Sequence, residues 1–206
     1  RLPDEVLALL GDRRDLRLHC GLLTEAGLTL VERGAARSVV TGAAVGDAAF
    51  YARAADAQAI SYRPVSVTHD ADTLAGYRRL VAVNSALEVD LFGQVNCESA
   101  GRGMVTAFGG INDFMRAAHR APDGLSVIAL AASAERGARS RIVARLSGPG
   151  LVAVQRGDVD LVATEHGIAD LRGLDIDARA RALIGIAAPQ FRGELGAAWD
   201  EIRAGL

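Results

Sequence analysis

Short apolar runs alternate along this chain with amphipathic, alanine-rich segments, and that alternation constrains the fold more than any other feature. A short apolar run bounded by turn residues reads as a strand buried in a sheet, whereas apolar positions spaced three and four apart read as a helix. On these criteria Pro3 to Leu10 is a short helix, Leu16 to Leu18 a strand, Ala26 to Arg33 a helix stopped by Gly34, Ser38 to Thr41 a strand and Ala48 to Ala57 a helix. The pattern continues with Tyr62 to Val67 as a strand, Ala71 to Leu80 as a helix and Val81 to Asn84 as a strand. Beyond a turn at Gly93, Asp113 to His119 reads as a helix. Ser126 to Ala131, Ser140 to Leu146 and Leu161 to Ala163 read as buried strands, and Asp175 to Ile184 and Glu194 to Arg203 as closing helices. This β-then-α order predicts a three-layer α/β domain with a largely parallel sheet. No internal repeat, linker or second domain boundary is evident.

The 206 residues are half hydrophobic, enough for a sizeable core. A net charge of -2 offers no basic field, so no nucleic-acid partner is expected. Every basic residue other than the four histidines is Arg, which excludes Schiff-base or P-loop chemistry carried by a lysine. Two cysteines, Cys20 and Cys97, with no ligand spacing among the histidines, predict neither a disulfide framework nor a metal site, and fit a reducing cytoplasm. No apolar run approaches a membrane span, so no membrane association is expected. The chain begins at Arg1 inside what reads as a helix, so an upstream domain is expected.

Three segments carry chemistry: NSALEVDLFGQVN at Asn84 to Asn96, FGGINDF at Phe108 to Phe114, and ATEHGIADLRG at Ala163 to Gly173. Each sets small or polar residues at the end of an apolar strand, where α/β folds hold ligands. The Gly109–Gly110 pair either lets the backbone approach a ligand with its N–H groups presented to an oxyanion, or is simply a tight turn. The glycines at Gly101 and Gly103 are not followed by the spacing of a dinucleotide-binding loop.

Taken in order, these blocks, with the LPDEVLALL opening, DLRLH, RPVSVTHD, SRIVARLS and the PQFRGEL ending, resemble the acetyl-CoA hydrolase/transferase family, which includes acetate, succinate and 4-hydroxybutyrate CoA-transferases. The resemblance runs from about Leu2 to Arg203 and implies the second of two related α/β domains, of the CoA-transferase type shared with the NagB/RpiA fold. It also implies an absent first domain, an acyl-CoA and a carboxylate as small-molecule substrates, no metal, and a homo-oligomer. The implied reaction is a ping-pong transfer in which a glutamate attacks an acyl-CoA thioester, giving an acyl-glutamyl anhydride and then a glutamyl-CoA thioester.

In the family that glutamate lies two residues after a strand-ending histidine. Here the strand ends as His19, Cys20, Gly21, so the nucleophile position falls on Gly21 and is vacant. Glu25, one turn away, is the fallback, and Cys20 adjoins the vacancy either as a nucleophile or as an inert buried thiol. The resemblance assigns Gly110 to the oxyanion hole beside Gly109, and Glu165 either to positioning the reacting groups or to a solvated strand end. Thr106 stands where the family tends to have a CoA-contacting Asn, and Glu135 or Arg136 where it often has a Lys near the CoA tail. His69 takes the place of an Asn near the substrate, either replacing its hydrogen bond or serving structure alone.

Glu88 and Asp90 alternate with Leu87, Val89 and Leu91, which fits a hydrogen-bonding role in the core better than a paired-carboxylate acid/base role. His119 and His166 are expected to be structural. The function expected is CoA transfer between short-chain carboxylates, or acyl-CoA hydrolysis, carried out with the first domain. The rival is a CoA-binding or assembly module that has lost covalent chemistry.

Overall fold

A computed structural model describes residues 2–101 and 103–206, so Arg102, within the glycine-rich stretch, lies outside the described residues. The chain divides into two compact units, Arg1–Gly76 and Tyr77–Leu206, although no linker composition marks the boundary.

The first unit runs α1 (Leu2–Ala8), β1 (Leu16–Leu23), α2 (Glu25–Glu32), β2 (Ala36–Ala44), α3 (Ala48–Asp56), β3 (Ile60–Tyr62), α4 (Val65–Thr68) and α5 (Ala71–Ala75). Its three strands form a parallel sheet in the order β1-β2-β3, with Cys20 opposite Thr41. Helix α2 stops where Gly34 turns to a φ of 68°, a conformation glycine adopts without a Cβ penalty. Asp47 caps α3 by accepting from the Phe50 N–H at 2.8 Å, and Asp70 caps α5 by accepting from the Thr73 N–H at 2.7 Å. Leu23, Leu28, Val39, Phe50 and Ala54 form a core between sheet and helices.

Three readings of the sequence change here. Strand β1 does not end at Leu18 but continues to Leu23, so His19, Cys20 and Gly21 lie within it. The Tyr62–Val67 run is not one strand. It leaves β3 at Tyr62, and Pro64, with φ −63°, caps the helical turn α4. The alternation of Val65 and Val67 is a strand signal overruled by the proline, whose ring pre-sets the first turn. Helix α5 ends at Ala75, well short of Leu80.

The second unit continues β4 (Val81–Ser85), β5 (Glu88–Asp90), β6 (Val95–Asn96), β7 (Ser99–Ala100), β8 (Gly103–Met104), α6 (Ile111–Arg120), β9 (Leu125–Ala129), β10 (Ser133–Ala134), β11 (Arg139–Ser140), β12 (Ile142–Val143), β13 (Leu161–Thr164), β14 (Gly167–Asp170), α7 (Ile176–Gly185) and α8 (Arg192–Arg203). Its main sheet has the order β14-β13-β9-β4, parallel except for the antiparallel hairpin partner β14. Helix α6 is the crossover between the parallel strands β4 and β9, so it runs back along the sheet with its N-terminus at their carboxyl ends. The predicted strand Ser140–Leu146 is instead cut into β11 and β12, which pair in two different small sheets. The core comprises Ile128, Val162, Leu171, Met115, Leu183 and Trp199, all at most 1% exposed. The chain is thus α/β, with a parallel sheet in the first unit and a mixed sheet in the second. Among the described residues no helix is long and apolar enough to cross a membrane.

Candidate functional site

The candidate residues fall in both units, Gly21 and His69 in the first and Thr106, Gly109, Gly110 and Glu165 in the second.

In the first unit, β1 and the end of α4 are packed closely. A Cβ built on Gly21 would lie 3.0 Å from His69 Cε1 and 3.2 Å from His69 Nε2. A Cβ on Gly42 of β2 would lie 3.1 Å from the Gly21 carbonyl oxygen and 3.4 Å from Thr68 Oγ1. The His69 ring is set by a 2.9 Å hydrogen bond between its Nδ1 and Thr68 Oγ1, and Thr68 is fully buried. The Thr68 carbonyl is bonded in turn by His19 Nε2 at 2.9 Å. Burial lowers the His19 pKa, the bond to Thr68 opposes that shift, and the neighbouring His69 adds to it. The sequence thus brings His19, Thr68, His69 and Gly21 together through an α4 turn that its pattern did not reveal.

The two fallback nucleophiles are otherwise engaged. Burial raises the Cys20 thiol above its ordinary value, against a hydrogen bond from Thr41, so little reactive thiolate forms at neutral pH. Glu25 pairs with Arg53 at 2.7 Å on an exposed face that Glu32 shares at 2.8 Å.

In the second unit, Gly109 and Gly110 precede α6, and Gly110 is its N-cap. Gly109 carries the left-handed φ, 57°, whereas Gly110 sits at −91°. No side chain caps this helix start. The first N–H groups of a helix have no partner within it; here the Ile111 N–H turns back to the Phe108 carbonyl at 3.4 Å, and the helix start lies at the carboxyl edge of the sheet. Thr106 is exposed on the preceding loop, which is tied down by bonds from the Val105 and Thr106 N–H groups to the Glu98 carbonyl. Glu165 follows β13 on the same edge. Its Oε2 accepts from the Ala132 N–H at 2.8 Å, and its Oε1 lies 3.9 Å from His166 Nε2. Gly109, Gly110 and Glu165 therefore share the carboxyl edge of one sheet.

Glu135, Arg136 and Gly137 all have left-handed φ, of 54°, 57° and 94°. Two successive non-glycine residues there store about 1–2 kcal/mol each, strain of a kind that clusters at functional sites. Glu88, 1% exposed, accepts from Arg139 Nη1 at 3.0 Å and from the Ser147 N–H and hydroxyl. Asp90 accepts from the Phe92 and Gln94 N–H groups and from Gln94 Nε2, and burial raises its pKa despite these bonds. Both carboxylates hold loops in place, as the sequence suggested.

Sequence reasoning missed two features. His119 Nδ1 lies 2.8 Å from Asp160, which also accepts from the Ser126 N–H and hydroxyl. This trio sits at the amino edge of the sheet, and Ser126 is fully buried with its hydroxyl on the aspartate rather than the histidine, so it is a clamp and not a nucleophile. Arg141 Nε is buried without a hydrogen-bond partner, while the Arg141 main-chain N–H donates to the Ala132 carbonyl and its Nη1 reaches the Ala86 carbonyl at 3.5 Å. Neither contact leaves a local sequence signal, because both depend on pairing distant strands. Among the described residues no group of three or more His, Cys, Asp or Glu is arranged to hold a metal.

The family described as acetyl-CoA hydrolase/transferase C-terminal domain matches residues 46–199, a span that includes His69, Thr106, Gly109, Gly110 and Glu165 but not Gly21. Over 203 residues the chain is 32% identical to the 4-hydroxybutyrate coenzyme A transferase of Clostridium kluyveri, covering 94% of this chain and 47% of that protein. It is 34% identical to the succinyl-CoA:cyclohexane-1-carboxylate CoA transferase of Geobacter metallireducens, covering 94% and 46%. The solved structure of RipA from Yersinia pestis superposes with a TM-score of 0.92 at 33% identity, over 98% of this chain and 48% of that one. The chain thus spans about half the length of the curated relatives it matches. By the family match and by this fold, the chain belongs to the acetyl-CoA hydrolase/transferase family, as a C-terminal domain.

Proposed function

We propose that the protein handles acyl-CoA, moving CoA between short-chain carboxylates such as acetate or hydrolysing the thioester. The observation that carries this reading is the shared carboxyl edge of the second unit's sheet, where the uncapped start of α6 at Gly110 and the Glu165 carboxylate both lie. Backbone N–H groups at a helix start suit a developing oxyanion, and a carboxylate fixed by a main-chain bond suits a positioning role. Thr106, Gly109 and His69 are proposed as contacts to the CoA substrate. An upstream domain, a homo-oligomeric assembly and a cytoplasmic setting belong to the same reading, the last because both described cysteines are free thiols. No metal is needed by this chemistry.

The test is to incubate the intact protein, as its gene encodes it, with acetyl-CoA and follow free thiol with and without added carboxylic acids. Thiol release or acid-dependent CoA transfer supports the reading. A second reading, a CoA-binding module without turnover, is favoured by one observation, the lack of any side chain at Gly21. Acetyl-CoA binding with neither activity would establish it.

A further inference from the structure

We propose that His69 takes over where the nucleophilic side chain is absent, directing water onto the acyl-CoA thioester, so that the protein hydrolyses acyl-CoA without a covalent intermediate. This rests on the reading of Gly21 as the vacant nucleophile position. Contacts of 3.0 and 3.2 Å from a Gly21 Cβ to the His69 ring are tighter than ordinary van der Waals contact, so any side chain at position 21 would crowd the ring and require it to shift. The ring cannot give way freely. Its Nδ1 is bonded to the fully buried Thr68, the His69 main-chain N–H donates to the Val65 carbonyl at 2.9 Å, and the Thr68 carbonyl is bonded by His19 of β1. Gly42, close against both Thr68 Oγ1 and the Gly21 carbonyl, leaves the room in which this packing is possible. Gly21 and His69 are therefore a matched pair, the imidazole lying closer to position 21 than a Cβ there would ordinarily allow.

The edge facing Gly21 carries Cε1 and Nε2. In the tautomer whose Nδ1–H donates to Thr68 Oγ1, Nε2 holds the lone pair and serves as a general base. Nε2 takes a proton from water while the water oxygen bonds to the thioester carbonyl carbon. The C–S bond then breaks, and the thiolate receives the proton back from the imidazolium, leaving a free carboxylic acid and the CoA thiol. No acyl or CoA group becomes attached to the protein.

The experiment uses the intact protein with acetyl-CoA and three measurements: binding by calorimetry, thiol release without acceptor acid, and exchange of labelled acetate into acetyl-CoA. Expected are thiol release without acetate exchange, and a fall in kcat of about 10²- to 10⁴-fold in His69→Asn and His69→Gln with acetyl-CoA binding retained. Gly21→Glu alone should not gain exchange, because the His69 ring crowds the new Cβ, whereas Gly21→Glu combined with His69→Asn should gain it. Unchanged thiol release in His69→Asn, exchange in Gly21→Glu with His69 in place, or binding without thiol release in the unmodified protein would each overturn the proposal. Failure of the unmodified protein to bind acetyl-CoA is a separate result, which overturns the acyl-CoA reading itself and this proposal with it.

Discussion

The Glu165 carboxylate accepts a 2.8 Å hydrogen bond from the Ala132 N–H, joining the turn after β13 to the segment that follows β9. The same carboxylate is half exposed, so one oxygen braces the sheet edge while the other faces outward beside His166.

It follows that Glu165→Gln, which keeps an acceptor for Ala132 but loses the charge, should leave stability within about 0.5 kcal/mol, as surface changes generally do. Turnover of acetyl-CoA by the intact protein should nonetheless fall at least tenfold. Glu165→Ala should show the same turnover loss together with about 1 kcal/mol of destabilisation from the unmade hydrogen bond. Urea denaturation beside a thiol-release assay measures both, and full activity in Glu165→Gln would remove this residue from the reaction.

Glu88 is a buried brace rather than a catalyst, and its removal should appear in folding first. Glu88→Ala strips partners from Arg139 and from the Ser147 N–H and hydroxyl at once. A destabilisation of about 2–3 kcal/mol is expected for charge-assisted bonds left unmade at a buried position. The more conservative Glu88→Gln should recover part of it. Denaturant titration reads the difference, and a change below about 0.5 kcal/mol in Glu88→Ala would mean the network contributes nothing net.

The fold and the site were not equally legible. Strand segments such as Ser38–Thr41 and Leu161–Ala163 announce themselves because β-branched and apolar residues cluster between turn signals. The cap positions Asp47 and Asp175 carry the side chain that helix starts require, and both accept the expected main-chain bond. By contrast, the RIVARL run reads as one strand although Ser140 and Ile142 serve different sheets, since pairing partners are not encoded in a local period. That position 21 carries no side chain is legible in the sequence. The closeness of the His69 ring to it is not, because that depends on Pro64 turning a strand-like VSV into a helix and bringing residue 69 back over β1.

Acidification should loosen the first unit as His19 takes up a proton. Burial holds His19 below the ordinary histidine value of 6.5, while hydrogen bonds from Thr73 and Arg53 hold Asp70 and Glu32 below their ordinary values of 3.8 and 4.5. With the folded pKa of His19 depressed, the unfolded chain takes the proton first as pH falls. Its contribution is therefore complete above about pH 7 and is lost as pH drops below 6.5. Amide exchange protection in β1 and α4, corrected for intrinsic rates, should decline between pH 7 and pH 5. The decline should flatten in His19→Gln, and an unchanged slope in that variant would assign the effect to another group.

The two glycines before α6 should separate strain from ligand approach. Gly109 has a φ of 57° and nothing within 4 Å of a built Cβ, so Gly109→Ala meets no clash and bears only the conformational cost. That cost is about 1–2 kcal/mol, seen as a lower melting temperature. Gly110, at φ −91°, accepts alanine without backbone strain and keeps its N–H, so Gly110→Ala should fold as the unmodified protein does. If the start of α6 receives the thioester oxygen, the added methyl group stands where the substrate must approach. Acetyl-CoA turnover should then drop by about 10²- to 10³-fold, the size of effect that follows loss of one oxyanion donor, with binding much less affected. Thermal unfolding, calorimetric titration and thiol release on both variants distinguish the cases. Unchanged turnover in Gly110→Ala, with stability lost only in Gly109→Ala, would make this pair a structural turn and move the oxyanion site elsewhere.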